Sequence, residues 1–225
     1  MELGLLFDVD GTIADTEAVN AMASVEMFRH LCGIEVQPDD FRPFIGAGAE
    51  RYVLGVAEKY GVTIDVKEAA WRREQNFLRL LGENGLAPLP GVLELIEEAT
   101  AAPDFRLAIS TSGAPTKAIP VIKAVGLDTR DFDAVVTAAD ITRKKPDPEI
   151  YLVTAEKLGL PPRQCVVFED APAGVEAARN AGAYAIAVTN STSAENLKHA
   201  DRIVDSLTQI SVYLLRELVR KHAAA

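Results

Sequence analysis

The sequence lacks any apolar run close to the roughly 20 residues that a membrane-spanning helix requires. Its first residues have neither the basic segment nor the long apolar stretch of a signal peptide, so we expect no membrane association. Cysteine is also scarce, because only Cys32 and Cys165 are present. Both lie in apolar stretches and are expected to be small buried thiols. The two cysteines make one possible pair, but buried thiols are the better interpretation, and a protein of the reducing cytoplasm is expected.

Positive charge is in deficit. The 225 residues include 23 Lys and Arg against 33 Asp and Glu, for a formal net charge of −10. This balance argues against nucleic-acid binding, which needs a basic surface. An anionic substrate would need a local cation or oriented backbone N–H groups to offset the field. The length allows one sizeable core, or a core with a small inserted domain, and nothing in the sequence demands more than a monomer.

From about residue 90 onward, apolar helix patterns alternate with short β-type runs. Val92, Leu95, Ile96 and Ala99 have the spacing of one helix face. Further helices are predicted near 118–125, 148–158 and 172–181, and strands at 106–109, 134–136, 165–168 and 185–188. Strands that alternate with helices of this length indicate an α/β fold, in which a doubly wound parallel sheet has helices on both faces.

Residues 15–85 depart from this alternation. They are rich in helix patterns, contain few β-branched runs and include the single tryptophan, Trp71. Glycine and proline between 82 and 91 mark the return to the α/β pattern. We therefore predict a core formed by residues 1–14 and 86–225, with an inserted all-helical domain at 15–85.

The most informative segment is Asp8-Val9-Asp10-Gly11-Thr12, which follows the apolar run at residues 3–7. Residues two apart in an extended chain point the same way, so Asp8 and Asp10 could reach one site. One would then serve as nucleophile or metal ligand and the other as acid and base. Gly11 permits a tight backbone approach. Taken alone, the segment could also be an ordinary polar turn.

Three further polar clusters follow strand candidates or lie near them: Ser110-Thr111-Ser112, Lys144-Lys145-Pro146 and Glu169-Asp170. Each has a simpler explanation on its own, as a turn, a solvated basic run or a helix cap. In an open parallel sheet, however, ligands bind outside the carboxyl ends of the strands. The coincidence of four clusters favours one shared site at that edge.

This ordered set resembles the haloacid dehalogenase-like (HAD) superfamily, whose four motifs are all present across essentially the whole chain. Motif one is Asp8–Thr12, motif two Ser110, motif three Lys145 and motif four Glu169-Asp170. The resemblance implies a Rossmann-like core with a helical cap inserted after motif one. The chain is most similar to the branch that holds β-phosphoglucomutase, phosphoglycolate phosphatase and small sugar-phosphate phosphatases.

The resemblance also implies roles for individual residues. Asp8 would attack phosphorus and form an aspartyl-phosphate, which splits one displacement into two. Asp10 would protonate the leaving oxygen and then activate water. Ser110, with loop N–H groups, would bind the phosphoryl oxygens, and Lys145 would hold both Asp8 and those oxygens.

A carboxylate that approaches a phosphate dianion is repelled, so such a site needs strong positive compensation. The resemblance implies that Mg²⁺ provides it. The expected ligands are the Asp8 carboxylate, the Asp10 backbone carbonyl and Asp170, with Glu169 nearby.

Substrate contacts are expected from the loops of the core and from the cap, namely Thr12, Thr111, Ser112, Asn20, Gly48 and Arg51. The mutase in this branch has a His in the first cap helix, where this chain has Asn20, and its cap Arg lies two residues from the position of Arg51. Thr12 also stands where mutases tend to have Val. These differences favour a phosphatase for a small phosphorylated metabolite, a sugar or polyol phosphate. A mutase-like isomerase and a non-catalytic phosphate-sensing module are the alternatives.

Overall fold

The computed structural model describes residues 1–44 and 49–223. The chain divides into two compact units, Met1–Asp15 with Ala87–Ala225 and Thr16–Leu86. The strands within the described ranges are β1 (Leu3–Phe7), β2 (Phe105–Ser110), β3 (Ala134–Val136), β4 (Cys165–Glu169), β5 (Tyr184–Val188) and β6 (Arg202–Val204). The α-helices there are α1 (Glu17–Cys32), α2 (Ala49–Tyr60), α3 (Val66–Asn84), α4 (Val92–Thr100), α5 (Pro115–Ala124), α6 (Glu149–Leu158), α7 (Pro172–Asn180) and α8 (Val212–Ala223).

The first unit is built on a six-stranded sheet in the order β3-β2-β1-β4-β5-β6, with every neighbouring pair parallel. β1 is buried along its whole length, as expected of a central strand in a sheet flanked by helices. It lies between β2 and β4, where the strand order reverses. Phe7 pairs with Phe168, so the carboxyl ends of β1 and β4 are adjacent. The predicted doubly wound α/β fold is confirmed, and its switch point lies at these strand ends.

Each predicted strand and helix of the α/β region is present. β6 and α8 were not predicted from the sequence pattern. β6 has only three residues and begins with the partly exposed Arg202, so it does not show the apolar run of an inner strand. Cys165 is buried on β4, as expected, whereas Cys32 at the end of α1 is only partly buried; both thiols are free.

The second unit contains α1, α2, α3 and a 3₁₀ helix at Pro38–Phe44. Its core includes Met27 and Phe28 of α1, and Phe41, which stacks on Tyr52 at 5.0 Å between ring centroids. The helix α3 begins at a defined cap, because the Asp65 carboxylate accepts hydrogen bonds from two backbone N–H groups. None of the helices within the described ranges is long and apolar enough to cross a bilayer.

Candidate active site

Asp8 is the first residue after β1, and its backbone N–H donates to the Phe168 carbonyl of β4 at 3.1 Å. The loop that follows is closed by hydrogen bonds of Ile13 and Ala14 to the Val9 carbonyl. Gly11 has a φ of +77°, a conformation that favours glycine. A Cβ atom at Gly11 would lie 1.8 Å from the Asp170 carboxylate. The glycine therefore lets the loop pack directly against motif four.

Lys145 lies between two buried carboxylates. Its Nζ is 2.6 Å from Asp8 Oδ1 and 2.5 Å from Glu169 Oε1. The side chains of Lys145 and Asp8 are each 10% exposed, and that of Glu169 is 2% exposed. A lysine buried this deeply requires paired charge. Residues of three motifs that lie far apart in the sequence thus meet in one ion-paired cluster.

Glu169 is held by four donors. Oε1 accepts from Lys145 and from the Tyr151 hydroxyl at 2.6 Å, and Oε2 accepts from the backbone N–H groups of Asp170 and Ala171 at 3.1 and 3.2 Å. A carboxylate has about four lone-pair positions, so these four donors occupy all of the acceptor positions of Glu169. One of these four hydrogen bonds holds Lys145 in place beside Asp8.

Asp170 faces a hydroxyl from a different strand end. It is 6% exposed and accepts a hydrogen bond from Ser191, in the segment after β5. The neighbouring Asn190 donates to the Gly11 carbonyl at 3.0 Å. Sequence reasoning missed Asn190, Ser191 and Tyr151. Asn190 and Ser191 lie just after a predicted strand, as the motif residues do. Their position after the strand could therefore have marked them as site residues.

Burial dominates the electrostatics of this cluster. It raises the pKa of Asp8 to about 7, with Lys145 opposing the shift and Glu169 adding to it. The pKa of Asp170 is raised well above its ordinary value, first by burial and then by Glu169 and Asp8. Burial alone would lower the pKa of Lys145, but Asp8 and Glu169 hold it well above its ordinary value. Three carboxylates thus share one ammonium group, which leaves an excess of negative charge.

A bound divalent cation would balance this excess of negative charge. Oxygens of Asp8, Glu169 and Asp170 lie within 4.8 Å of one another, and because Glu169 already accepts four hydrogen bonds, Asp8 and Asp170 are the carboxylates left to bind the ion. Within the part of the chain that the structure describes, this is the acidic group close enough to hold a metal ion. Carboxylate oxygens are the ligands that Mg²⁺ prefers. The residues present therefore suit the metal that the sequence predicts.

Asp10 lies outside this buried group. Its side chain is 40% exposed, and its two oxygens are 3.2 and 3.4 Å from Lys117 Nζ. Lys117 belongs to α5 and was not predicted from any motif. The metal role expected for Asp10 involves its backbone carbonyl, which leaves the side chain available for proton transfer.

The hydroxyls of Ser110 and Thr111 in motif two both take part in hydrogen bonds within the protein. Ser110 is fully buried at the end of β2, with its hydroxyl 2.9 Å from that of Thr154. Thr154 donates to the Ile150 carbonyl at 2.7 Å, so Ser110 must donate to Thr154. The Ser110 hydroxyl is therefore not a free donor in this arrangement. Thr111 is buried, and its hydroxyl accepts from the Gly113 N–H at 3.1 Å.

The remaining predicted substrate contacts have varied surroundings. Ser112 is exposed. Thr12 is fully buried, and its hydroxyl has no hydrogen-bond partner among the described residues. In the second unit, Asn20 donates to the Thr16 hydroxyl at 3.4 Å, and Arg51 pairs with Glu58 at 2.8 Å. Gly48 lies outside the described residues. Roles in substrate binding stay predictions for all of these residues.

Comparison with known proteins assigns the family. The sequence-family model of the haloacid dehalogenase-like hydrolases matches residues 4–182 of this chain. The chain belongs to this family of enzymes. It is 37% identical over 213 residues to the protein SUPPRESSOR OF QUENCHING 1 of Arabidopsis thaliana, a match that covers 92% of this chain but only 20% of that longer protein. It is 34% identical to hexitol phosphatase A of Escherichia coli, with 93% of each chain covered.

Solved structures agree with this assignment. A variant of CbbY from Rhodobacter sphaeroides in complex with xylulose-1,5-bisphosphate has a TM-score of 0.80 at 28% identity, covering 93% of this chain and 96% of that one. A β-phosphoglucomutase from Clostridium difficile has a TM-score of 0.80 at 26% identity, with 100% of both chains covered. The chain thus lies among the HAD-like sugar-phosphate phosphatases and their mutase relatives, as the motifs predict.

Proposed function

We propose that this protein is a Mg²⁺-dependent phosphatase that hydrolyses a small sugar or polyol phosphate through an aspartyl-phosphate at Asp8. The observation that carries the proposal is the buried cluster in which Lys145 Nζ lies 2.6 Å from Asp8 Oδ1 beside two further carboxylates. The hexitol phosphatase and the sugar-bisphosphate complex among its relatives support the substrate class.

In the first half-reaction, an Asp8 oxygen forms a bond to phosphorus while the ester P–O bond breaks. The leaving oxygen takes a proton from Asp10, so the released product is an alcohol. Lys145 opposes the effect of burial on the pKa of Asp8, which favours the ionised nucleophile, and adds positive charge next to the transferring group. In the motif-two loop the N–H groups of Thr111 and Gly113 are already engaged, as is the Ser110 hydroxyl, so we expect the Ser112 N–H to donate to a phosphoryl oxygen.

In the second half-reaction, Asp10 accepts a proton from water as the water oxygen attacks phosphorus. The bond between phosphorus and Asp8 breaks, inorganic phosphate forms, and the Asp8 carboxylate is restored. Asp10 thus carries the proton in both directions. Its partly exposed position, outside the saturated cluster around Glu169, suits a group that must exchange protons with solvent and product.

Bound Mg²⁺ would neutralise charge on the phosphoryl group and so permit an anionic nucleophile to approach it. Asp8, Asp170 and the Asp10 backbone carbonyl would hold the ion, with Glu169 adjacent. We expect the helical unit at Thr16–Leu86 to act as the cap and to contact the leaving group through Asn20, Gly48 and Arg51. A cytoplasmic location and a monomeric state stay predictions.

A panel of phosphate esters tests the proposal, with free phosphate and isomerised product measured separately. We expect Mg²⁺-dependent release of phosphate from hexitol, hexose or pentose phosphates. Net conversion of a sugar 1-phosphate to its 6-phosphate, with little free phosphate, would instead support the mutase alternative that the Clostridium difficile structure raises. No turnover of any ester, combined with failure to bind Mg²⁺, would favour the phosphate-sensing alternative.

A further inference from the structure

A lysine outside the four motifs contacts the acid–base candidate. Lys117 Nζ lies 3.2 and 3.4 Å from the two oxygens of Asp10. Both residues belong to the same compact unit, Lys117 on the first turn of α5 and Asp10 on the loop after β1. The contact spans 107 positions of sequence and joins the end of β1 to the helix that follows β2.

The position of Lys117 is unfavourable for the helix that carries it. It is the third residue of α5, and the first turn of this helix contains no acidic residue. A cation at a helix N-terminus is opposed by the helix dipole, which weakens the local helix. Local helix stability therefore does not explain a lysine at this position.

The ion pair itself also explains little of the stability. The Lys117 side chain is 24% exposed and that of Asp10 is 40% exposed. Pairs at this degree of exposure contribute little to folding, because water already solvates both charges. What the pair does is fix the carboxylate, since one Nζ bridges both of its oxygens.

We infer that Lys117 is a positioning residue, which holds the Asp10 carboxylate in the orientation needed for both proton transfers. This inference rests on the proposed function, because it concerns the same Asp10. Lys145 cannot orient Asp10 as well, because its Nζ already contacts Asp8 and Glu169. The site then contains two lysines with separate duties, one for the nucleophile and one for the proton carrier.

The test is a double-mutant cycle of Lys117→Met and Asp10→Asn, with kcat and KM measured on the best ester of the panel. If Lys117 acts through Asp10, Lys117→Met lowers kcat by about 10- to 100-fold with little change in KM. In the Asp10→Asn background, the same substitution changes kcat by less than about twofold. Lys117→Arg, which keeps a cation in reach, restores much of the loss. Lys123→Met is the matched control, because Lys123 is an exposed lysine of the same helix.

Two results would overturn the inference. A Lys117→Met enzyme with unchanged kcat would show that Asp10 needs no such support. A rise in KM that persists in the Asp10→Asn background would show that Lys117 binds substrate instead. Failure of the proposed function is seen separately, because an Asp8→Asn variant that retains turnover would contradict the nucleophile and not the role of Lys117.

Discussion

At the scale of single residues, two glycines permit the close packing of the acidic cluster. A Cβ atom at Gly11 would meet the Asp170 carboxylate at 1.8 Å, and one at Gly174 in α7 would meet Glu169 Oε1 at 1.9 Å. Gly174 has an ordinary helical backbone, so only the contact with Glu169 opposes a side chain there. The helix α7 therefore packs so closely against Glu169 that residue 174 has no room for a Cβ atom.

Gly174→Ala should displace the Glu169 carboxylate and so disturb Lys145. We expect kcat to fall by at least about tenfold, because Lys145 would lose its orientation toward Asp8. Gly82→Ala is the matched control, since Gly82 is also helical but a Cβ atom there would meet no other atom within 4 Å. It should keep its activity and gain about 0.5–1 kcal/mol in stability from helix propensity. Equal activity in the two variants would contradict the account of Glu169.

The residues of the cluster differ in how far the sequence predicts them. Asp8, Lys145 and Glu169 follow or neighbour apolar strands, so the rule for parallel sheets brings them to one edge. Tyr151 and Lys117 lie inside helices, where neither periodicity nor a motif marks them as polar partners of the site. The hydrogen bond from Ser110 to Thr154 joins residues on β2 and α6. It depends on how these two elements pack together, which the local sequence does not show.

At the scale of elements, the 3₁₀ helix of the second unit is anchored by one carboxylate. Asp40 accepts hydrogen bonds from the Gln37 N–H at 2.8 Å, from the Tyr60 hydroxyl at 2.6 Å and from Lys59. Lys59 and Tyr60 are the last residues of α2. This carboxylate therefore ties the 3₁₀ helix to the end of α2 while itself remaining buried.

Asp40→Asn should lower the free energy of unfolding by about 1 kcal/mol near neutral pH. Hydrogen bonds from Lys59 and Tyr60 lower the pKa of Asp40 from 3.8 to about 2. Because the folded-state pKa is depressed, this stabilisation is complete above the unfolded pKa and is lost as the pH falls through about 2. Denaturant titrations of the full chain at several pH values measure the difference between wild type and variant.

Asp39→Asn is the control for this measurement, since Asp39 is a neighbouring aspartate with a largely exposed side chain. It should change stability by less than about 0.5 kcal/mol. A loss of stability at Asp40 no larger than at Asp39, or one that stays constant down to the lowest pH, would contradict the anchoring role.

The elements themselves were predictable where a periodic pattern extends over several residues. Leu3–Phe7 and Cys165–Glu169 are nearly continuous apolar runs, which is typical of strands buried on both faces. The three residues of β6 are too few to show a period, and their place beside β5 depends on the sheet that is already formed. The ends of the helices depend on single capping residues such as Asp65 and not on a periodic pattern.

At the scale of the whole molecule, a strongly acidic chain must bind an anionic ester. Lys145 and Lys117 lie at the carboxyl edge of the sheet and offset the negative charge there only in part, because four carboxylates surround them. A bound divalent cation would add further positive charge. We therefore expect turnover to depend on the metal, and to be lost when Mg²⁺ is removed by a chelator and regained on its addition.

In the proposed mechanism, Asp8 itself becomes phosphorylated. The most direct measurement is acid quenching of the enzyme during turnover of its best sugar phosphate, followed by mass spectrometry of the peptide that contains Asp8. We expect one added phosphoryl group on Asp8 in the wild type and none in Asp8→Asn, which is inactive. Full turnover by Asp8→Asn, or a phosphoryl group on another residue, would contradict this mechanism.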